Sequence, residues 1–291
     1  MPLLQQVIIS STIRVTLLPY SEKRIKCVKQ QNLGVSTARN KGIEMAIGEF
    51  VTFVDGDDYI NFDMLEKMYY FAESQKLDLT FCSFENNEYN DTTEIAQESS
   101  SNEYIRKMLQ GKVQRSACGV LFNLDLIRKH SLAFDIDMSY GEDMLFTIKA
   151  LLLTENKIGI IPYKYYVVEK RIGSAIRLMN QNQYERIQLL AQRLDQIFEY
   201  LNAKNEYELL LNRYYYFDIL FSISHIVRSN IGFFKKLGKL RELKKSPHAR
   251  ECLNVKFESS KLVRIKALLI KYAPSIILMF FYKLNNTMKK V

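Results

Sequence analysis

Three carboxylates crowd around one glycine where an apolar run of the chain ends. Asp55, Asp57 and Asp58 surround Gly56 directly after the apolar stretch 50–54. This stretch predicts a short buried strand of a parallel sheet, and open α/β sheets bind ligands beyond the carboxyl ends of such strands. Crowded carboxylates repel one another unless a cation lies between them, and Mg²⁺ or Mn²⁺ takes oxygen ligands together with substrate phosphates. The pattern indicates a divalent-metal site, although Asp and Gly are also common turn residues.

Two further polar segments lie upstream and downstream of the acidic stretch. Residues 31–43 read QNLGVSTARNKGI and lead through Gly48 and Glu49 into the predicted strand. Residues 139–146 read SYGEDMLF and place Glu142 and Asp143 at the predicted start of a helix. The positive end of a helix dipole favours carboxylates there and should help to hold Asp143 ionised. Simple capping of that helix is therefore the alternative to a catalytic role.

The three segments, in this order, resemble the family 2 glycosyltransferases of the nucleotide-diphospho-sugar (GT-A) fold. The pattern N-x-G-x-S-x-A-R-N-x-G is followed by F-x-D-x-D-D and then by G-E-D-x-x-F. Each motif alone is a weak signal, whereas three in order are a strong one. The resemblance covers about residues 24–177 and implies an α/β fold: a Rossmann-like, mixed and mostly parallel sheet with flanking helices. A C-terminal helical region is expected to follow it.

The resemblance also implies roles for the polar residues. Asp57 is the expected main metal ligand, and Asp55 is expected near both the ribose and the metal ion. Asp143, beside Glu142, is the expected catalytic base that removes the proton of an acceptor hydroxyl. The expected substrate-binding residues are Arg39, Asn32, Gly34, Asp55, Asp58 and Arg171, the last in a loop that closes over the donor in relatives.

Structural alternatives remain open for the upstream residues. A guanidinium suits diphosphate oxygens, but Arg39 on a predicted helix could equally be exposed and paired with Glu44. Asn32 and Gly34 lie at the turn into that helix, where backbone amides could approach a nucleotide. Gly34 could also serve only the geometry of the turn.

Hydrophobic periodicity predicts the elements that position these residues. Strands are predicted at 7–12, 25–30, 49–54, 77–84, 158–161 and 165–168, and helices at 35–47, 62–75, 104–109, 124–130 and from 143 to about 153. Asn61 is the predicted N-cap of the second helix. Residues 85–101 are polar and acidic without periodicity and predict a loop, and from about 181 the pattern is helical. The predicted domains are 1–177 and 178–291.

The N-terminal part departs from the family pattern. Only 23 residues precede Arg24, and they contain neither the Pro-x-Tyr-Asn-like nor the Asp-Gly-Ser-like turn that holds base and ribose in relatives. We therefore expect a catalytic domain that is truncated at its N-terminus, with no signal peptide because no basic segment precedes the apolar residues.

Charge is concentrated in the C-terminal part. From Ile226 onward the chain carries 16 Lys/Arg and 3 Asp/Glu, although the net charge of the whole chain is only +9. Basic and apolar residues alternate over 261–271, and the apolar run 273–282 is shorter than the roughly 20 residues that span a bilayer. These features predict a helix at an anionic membrane surface, with a helix packed on the catalytic domain as the alternative. Nucleic-acid motifs are absent from the sequence.

The resemblance thus implies an inverting, metal-dependent transfer of a sugar from a nucleotide-diphospho-sugar, with UDP as the expected nucleotide. The expected acceptor is a growing glycan or a lipid-linked glycan, as in capsule, exopolysaccharide or lipopolysaccharide synthesis, at the cytoplasmic face of the cell membrane. The four cysteines are scattered without paired spacing, which suits a reducing cytosol. The alternative is a truncated, inactive remnant that acts at most as a membrane-associated assembly partner.

Overall fold

The computed structural model describes residues 6–10, 25–85, 96–169, 183–254 and 261–287. The spatial proximity of Cα atoms divides the chain into two compact units, Met1–Lys170 and Arg171–Val291. The first unit contains the strands and all of the motifs up to Asp143. The predicted domain boundary after residue 177 stays a prediction.

The strands described in the first unit form two sheets. Strands β1 (Gln6–Ser10) and β2 (Ile25–Lys29) form a parallel pair. The larger sheet has six strands: β3 (Phe50–Val51), β4 (Tyr59–Ile60), β5 (Leu79–Phe84), β6 (Gln97–Ser99), β7 (Val120–Asn123) and β8 (Ile158–Val167). Its order is β3-β7-β5-β8-β4, with β6 also paired to β8. Strand β8 therefore has the most partners in this sheet, since it pairs with three other strands.

The mixed α/β architecture is confirmed, but the prediction of a mostly parallel sheet is wrong for the larger sheet. Only β5 and β8 run parallel there, and the other pairings are antiparallel. A buried apolar strand looks the same in sequence whichever way its neighbour runs. The short strands β4, β6 and β7 were not predicted, and the two strands predicted at 158–168 are one.

The described part of the first unit has five helices: α1 (Val35–Met45), α2 (Met64–Gln75), α3 (Ser101–Gln110), α4 (Leu124–Lys129) and α5 (Glu142–Leu153). The predicted N-cap of α2 is wrong: the cap is Asp63, and the Asn61 amide instead donates to the Lys164 carbonyl oxygen at 2.9 Å. That bond ties the entry of α2 to β8. The cap shifted because the β8 backbone competes for the Asn61 side chain.

An aromatic cluster fills the core behind the acidic stretch. The ring of Phe53 contacts Phe122, Phe134 and Phe146 at centroid distances of 5.9, 5.0 and 5.9 Å. Phe134 and Phe146 stack on each other at 4.0 Å. All four side chains are buried. The cluster gives the turn after Phe53 a rigid base, because packed aromatic rings resist displacement.

The second unit is helical over its described residues. It comprises α6 (Gln183–Tyr200), α7 (Lys204–Arg228), α8 (Phe233–Lys245), α9 (Pro247–Asn254), α10 (Lys261–Tyr272) and α11 (Ser275–Thr287). The tyrosines at 214–216 are buried in this unit, as expected of core residues, whereas Phe217 and Phe221 on the same helix are exposed. Within the described segments, no helix has both the length and the apolar character needed to cross a membrane.

Candidate active site

The acidic stretch forms a tight turn. The backbone N–H of Asp58 donates to the carbonyl oxygen of Asp55 at 3.0 Å, which closes the turn around Gly56. Asp57 is exposed at the tip, and Asp55 and Asp58 are half-buried. The stretch is therefore a turn that carries three aspartates, and the predicted metal site stays a prediction.

Tyr166 holds this turn from the neighbouring strand β8. Its hydroxyl donates to Asp58 Oδ2 at 2.8 Å and accepts from the Asp55 backbone N–H at 3.1 Å. The backbone N–H of Glu169 donates to the second oxygen of Asp58 at 3.0 Å. Sequence reasoning missed Tyr166, because an alternating strand pattern does not reveal which hydroxyl meets which carboxylate. Asp58 is thus bound from two sides, and its predicted contact with substrate stays a prediction.

Arg39 joins the acidic turn to the start of α5. Its guanidinium donates to Asp55 Oδ1 at 2.9 Å and to Glu142 Oε1 at 3.4 Å. The Arg39 side chain is only 9% exposed, and Glu44 pairs instead with Lys41 at 2.7 Å. The exposed Arg39–Glu44 pair is therefore not the arrangement found. One buried cation brings residues of three sequence motifs into a single site.

Asn40 fixes the position of Arg39 through the aromatic cluster. The Asn40 side chain donates to the Phe134 carbonyl oxygen at 2.9 Å and accepts from the Phe134 N–H at 2.8 Å. The Phe134 ring lies 5.2 Å from the Arg39 guanidinium carbon, a cation–π contact. Asn40 lies within the upstream motif, but its motif position gave no sign of this partner. It acts as a positioning residue for Arg39.

The start of α5 presents two carboxylates. Gly141 has φ of +74°, which glycine adopts without strain, so the helix begins directly at Glu142. The backbone N–H of Met144 donates to Asp143 Oδ1 at 2.8 Å. Both acidic side chains are half-buried. The turn into α5 therefore places both carboxylates in the site that contains Arg39.

Burial shifts the pKa of both carboxylates in the same direction. Burial raises the pKa of Asp143 above its ordinary value, while the charge of Arg39 and the Met144 N–H oppose that rise. Burial and the neighbouring charge of Asp143 raise the pKa of Glu142. Desolvation thus acts against the helix dipole at Asp143, and the predicted ionised state of Asp143 stays a prediction. A raised pKa makes a carboxylate a stronger base.

The other predicted substrate residues lie at the entry to α1 or outside the described residues. The Gly34 N–H donates to Asn32 Oδ1 at 3.4 Å, and Gly34 caps α1 with φ of +90°. Both residues are exposed, which leaves their backbone open to a ligand. Arg171 lies outside the described residues. The roles of Asn32, Gly34 and Arg171 stay predictions.

The acidic turn suits a hard divalent ion with few protein ligands. Across the described ranges, no three His, Cys, Asp or Glu side chains come together as a ready-made metal site. Asp57 is exposed, and Asp55, whose side chain is 44% exposed, offers a second carboxylate beside it. Mg²⁺ is commonly held by one or two carboxylates, with water and substrate phosphates completing its shell. This donor set fits such an ion.

The family of this domain follows from comparison with known proteins. Residues 11–130 match the family model described as "Glycosyl transferase family 2". This segment is similar to family 2 glycosyltransferase domains. It includes the upstream motif and the acidic turn, and α5 follows it.

Two relatives and one solved structure are similar to this chain. It is 34% identical over 139 residues to EpsH of Bacillus subtilis (strain 168), named as a glycosyltransferase, covering 44% of this chain and 40% of EpsH. It is 28% identical over 178 residues to the poly(ribitol-phosphate) beta-N-acetylglucosaminyltransferase TarS of Staphylococcus aureus (strain MW2), covering 60% of this chain and 30% of TarS. The crystal structure of S. aureus TarS 1-349 in complex with UDP-GlcNAc superposes with a TM-score of 0.63 and 19% identity, covering 90% of this chain and 75% of that one.

These comparisons bear on fold and family. The likeness to TarS confirms the GT-A fold with a C-terminal helical region. The chain spans less than half the length of the first curated relatives that it matches, 40% of one and 47% of another. The predicted N-terminal truncation stays a prediction.

Proposed function

We propose that this chain transfers a sugar from a nucleotide-diphospho-sugar, with UDP as the nucleotide, to a growing glycan. The observation that carries the proposal is the bridge from Arg39 to Asp55 and Glu142, at 2.9 and 3.4 Å. It gathers the donor-side and acceptor-side motifs around one buried charge. The UDP-GlcNAc complex of TarS, a protein of the same fold, supports this class of donor.

Asp143 acts as the base in this proposal. The carboxylate takes the proton of the acceptor hydroxyl while the acceptor oxygen bonds to the anomeric carbon and the bond to the diphosphate breaks. Burial raises the pKa of Asp143, which strengthens it as a base. Glu142 is less suited because its Oε1 accepts from Arg39 at 3.4 Å. A single displacement with one base inverts the anomeric configuration and needs no second carboxylate as nucleophile.

Asp57 and Asp55 would hold Mg²⁺ or Mn²⁺ at the acidic turn. When bound, such an ion offsets the negative charge that builds up on the leaving diphosphate. Tyr166 and Glu169 keep the turn in shape through Asp58, so that Asp57 stays at the exposed tip. Arg39 has further N–H donors beyond its two carboxylate contacts, with which it binds the diphosphate.

The acceptor is a glycan or a lipid-linked glycan, and the chain works at the cytoplasmic face of the cell membrane. A phosphate-bearing polymer is one such acceptor, since TarS is named as a poly(ribitol-phosphate) transferase. Support for membrane contact comes from exposed apolar side chains on α10 and α11: Leu268 is 57% exposed, and Ile277 and Phe280 are each 51% exposed. Apolar side chains among basic residues favour an anionic lipid surface.

Calorimetric titration with UDP, with and without Mn²⁺, tests the proposal. The wild-type chain is expected to bind UDP in a metal-dependent manner, and Asp57→Ala is expected to lose that dependence. Asp125→Ala is the matched control, because it removes an exposed aspartate at the start of α4. A folded wild-type chain that binds no UDP would overturn the proposal in favour of the inactive remnant.

A further inference from the structure

A basic cleft lies in the second unit, walled by residues of α8, α9, α10 and the start of α11. Its volume is about 520 Å³, within the range of roughly 300–1,000 Å³ found for ligand pockets. Five cationic side chains line it: Arg241, Lys244, Lys245, Arg250 and Lys271. The cleft belongs to the second unit alone, and the proposed sugar transfer makes no use of it.

The charge of the cleft is of one sign. Every titratable lining residue apart from Tyr272 is a lysine or an arginine, and no carboxylate contributes to the described lining. Like charges gathered around a concave surface repel one another, and the field between them is focused on the cavity. An anion in the cleft relieves this repulsion, so the arrangement favours binding of a multiply charged anion.

Lys244 is more enclosed than the other four cationic residues of the cleft. Its ammonium group donates to the carbonyl oxygen of Ala273, just before α11. Burial lowers the pKa of Lys244, because desolvation disfavours its charged form. A bound anion would compensate that cost. Lys244 therefore marks the point of the cleft where negative charge is stabilised most.

The start of α11 adds to this field. Ser275 begins that helix and lines the cleft next to Pro274. The positive end of the helix dipole lies there, and together with the serine hydroxyl it favours an anion with several acceptor oxygens. The five side chains and the helix start therefore line the cleft from separate elements.

One wall of the cleft is apolar. Ile270 is buried, Leu253 is half-buried, and the ring of Tyr272 is 69% exposed. The Lys271 ammonium lies 5.2 Å from the centre of the Tyr272 ring. An inorganic anion would leave this wall bare, whereas an organic group attached to the anion would cover it.

We propose that the cleft binds the phosphate or diphosphate group of an organic phosphate, with its organic part against Leu253 and Tyr272. Phosphate groups supply several acceptor oxygens at high charge density and accept charge-assisted hydrogen bonds from lysine and arginine. The group belongs either to a soluble compound or to a lipid headgroup. The proposal stands independently of sugar transfer.

Titration of the full chain with inorganic pyrophosphate, in metal-free buffer with EDTA, tests the site. The triple variant Arg241→Gln, Lys245→Gln, Lys271→Gln is expected to bind pyrophosphate at least about tenfold more weakly, since hydrogen bonds to charged groups are the stronger ones. The matched control, Arg193→Gln, Lys204→Gln, Lys235→Gln, removes equal charge from the same unit outside the cleft lining and should bind as wild type does.

Metal-dependent UDP binding separates this site from the candidate active site. The cleft variant is expected to leave that binding unchanged. The proposal is overturned if the cleft and control variants lose pyrophosphate affinity equally, or if the cleft variant loses none. Circular dichroism checks folding. If the triple variant does not fold, the single variants Lys245→Gln and Lys271→Gln, both at exposed positions, replace it under the same criteria.

Vesicles distinguish the two sources of the phosphate group. Phosphatidylglycerol vesicles that compete with pyrophosphate, where phosphatidylcholine vesicles do not, support a lipid headgroup. Pyrophosphate binding that neither vesicle displaces supports a soluble organic phosphate.

Discussion

The hydroxyl of Tyr166 donates to Asp58 Oδ2 at 2.8 Å and accepts from the Asp55 N–H at 3.1 Å. One side chain of β8 thus holds both ends of the acidic turn. Burial raises the pKa of Tyr166, so its hydroxyl stays protonated and keeps donating at neutral pH. The shape of the candidate metal site therefore depends on a strand more than 100 residues away.

Removing this hydroxyl is expected to loosen the turn. Tyr166→Phe leaves the Asp55 N–H and Asp58 Oδ2 without this partner, which should lower the free energy of unfolding by about 1–3 kcal/mol. Metal-dependent UDP affinity should fall as well. Urea unfolding and calorimetry measure the two effects. Tyr165→Phe, at the adjacent buried position, is the control and should change UDP affinity little. Equal UDP affinities in both variants would speak against the role of Tyr166.

Arg39→Ala is expected to damage both stability and activity. It leaves Asp55 and Glu142 facing each other without their shared cation, and breaking a buried ion pair costs about 3–5 kcal/mol. Partial exposure of Asp55 places the expected loss at the low end of that range. Lys41→Ala removes an exposed pair with Glu44 and should cost less than about 1 kcal/mol. Thermal unfolding and transfer assays compare the two variants. Equal losses of stability and activity in both would contradict the bridging role of Arg39.

Asp143→Asn is expected to abolish most transfer while leaving the donor bound. Loss of a general base typically lowers the rate by about 10²–10⁴-fold. The decrease should lie in kcat, with metal-dependent UDP binding unchanged, because Asp143 acts on the acceptor. Glu142→Gln should lower the rate less, through Arg39. If Glu142→Gln has the larger kcat effect, the two roles are exchanged.

The same carboxyls make stability depend on pH. Folding raises the pKa of Asp143 and Glu142 above ordinary values of 3.8 and 4.5. Their protonated forms therefore stabilise the fold fully below those values, and this contribution is lost as pH rises through the raised pKa. Asp143→Asn should then be more stable than wild type at pH 7 by about 1 kcal/mol, with a smaller gain at pH 4.

Unfolding of both proteins at pH 4 and pH 7 measures this difference. Asp125→Asn makes the same substitution at an exposed site and serves as the control. A gain from Asp143→Asn that is larger at pH 4 than at pH 7 would show that burial does not raise this pKa.

The apolar side chains of α11 are expected to contribute to membrane binding. Replacing Ile277 and Phe280 by Ser should weaken binding to phosphatidylglycerol vesicles by roughly tenfold per side chain, from the free energy of burying such a group. Leu209→Ser with Phe221→Ser, on α7 and similarly exposed, is the control. Vesicle sedimentation measures the binding of both double variants. An equal loss of vesicle binding in the α7 control would indicate that the membrane contact is not specific to α11.

The sequence by itself determined the residue types, the resemblance to a known family and most of the helices. The motif residues around Gly34, Gly56 and Gly141 are local signals, because turns and helix starts depend on neighbouring residues. Helix α1 and the helical C-terminal region followed from hydrophobic periodicity in the same way.

Only the tertiary structure decided which side chains meet. Arg39 reaches Glu142 across 103 residues, Asn40 reaches Phe134 across 94, and Tyr166 reaches Asp58 across 108. Such contacts depend on strand register and helix packing, which leave no mark on the local pattern. The tertiary structure also raises the pKa of Asp143, because this side chain is buried only once distant segments have packed together.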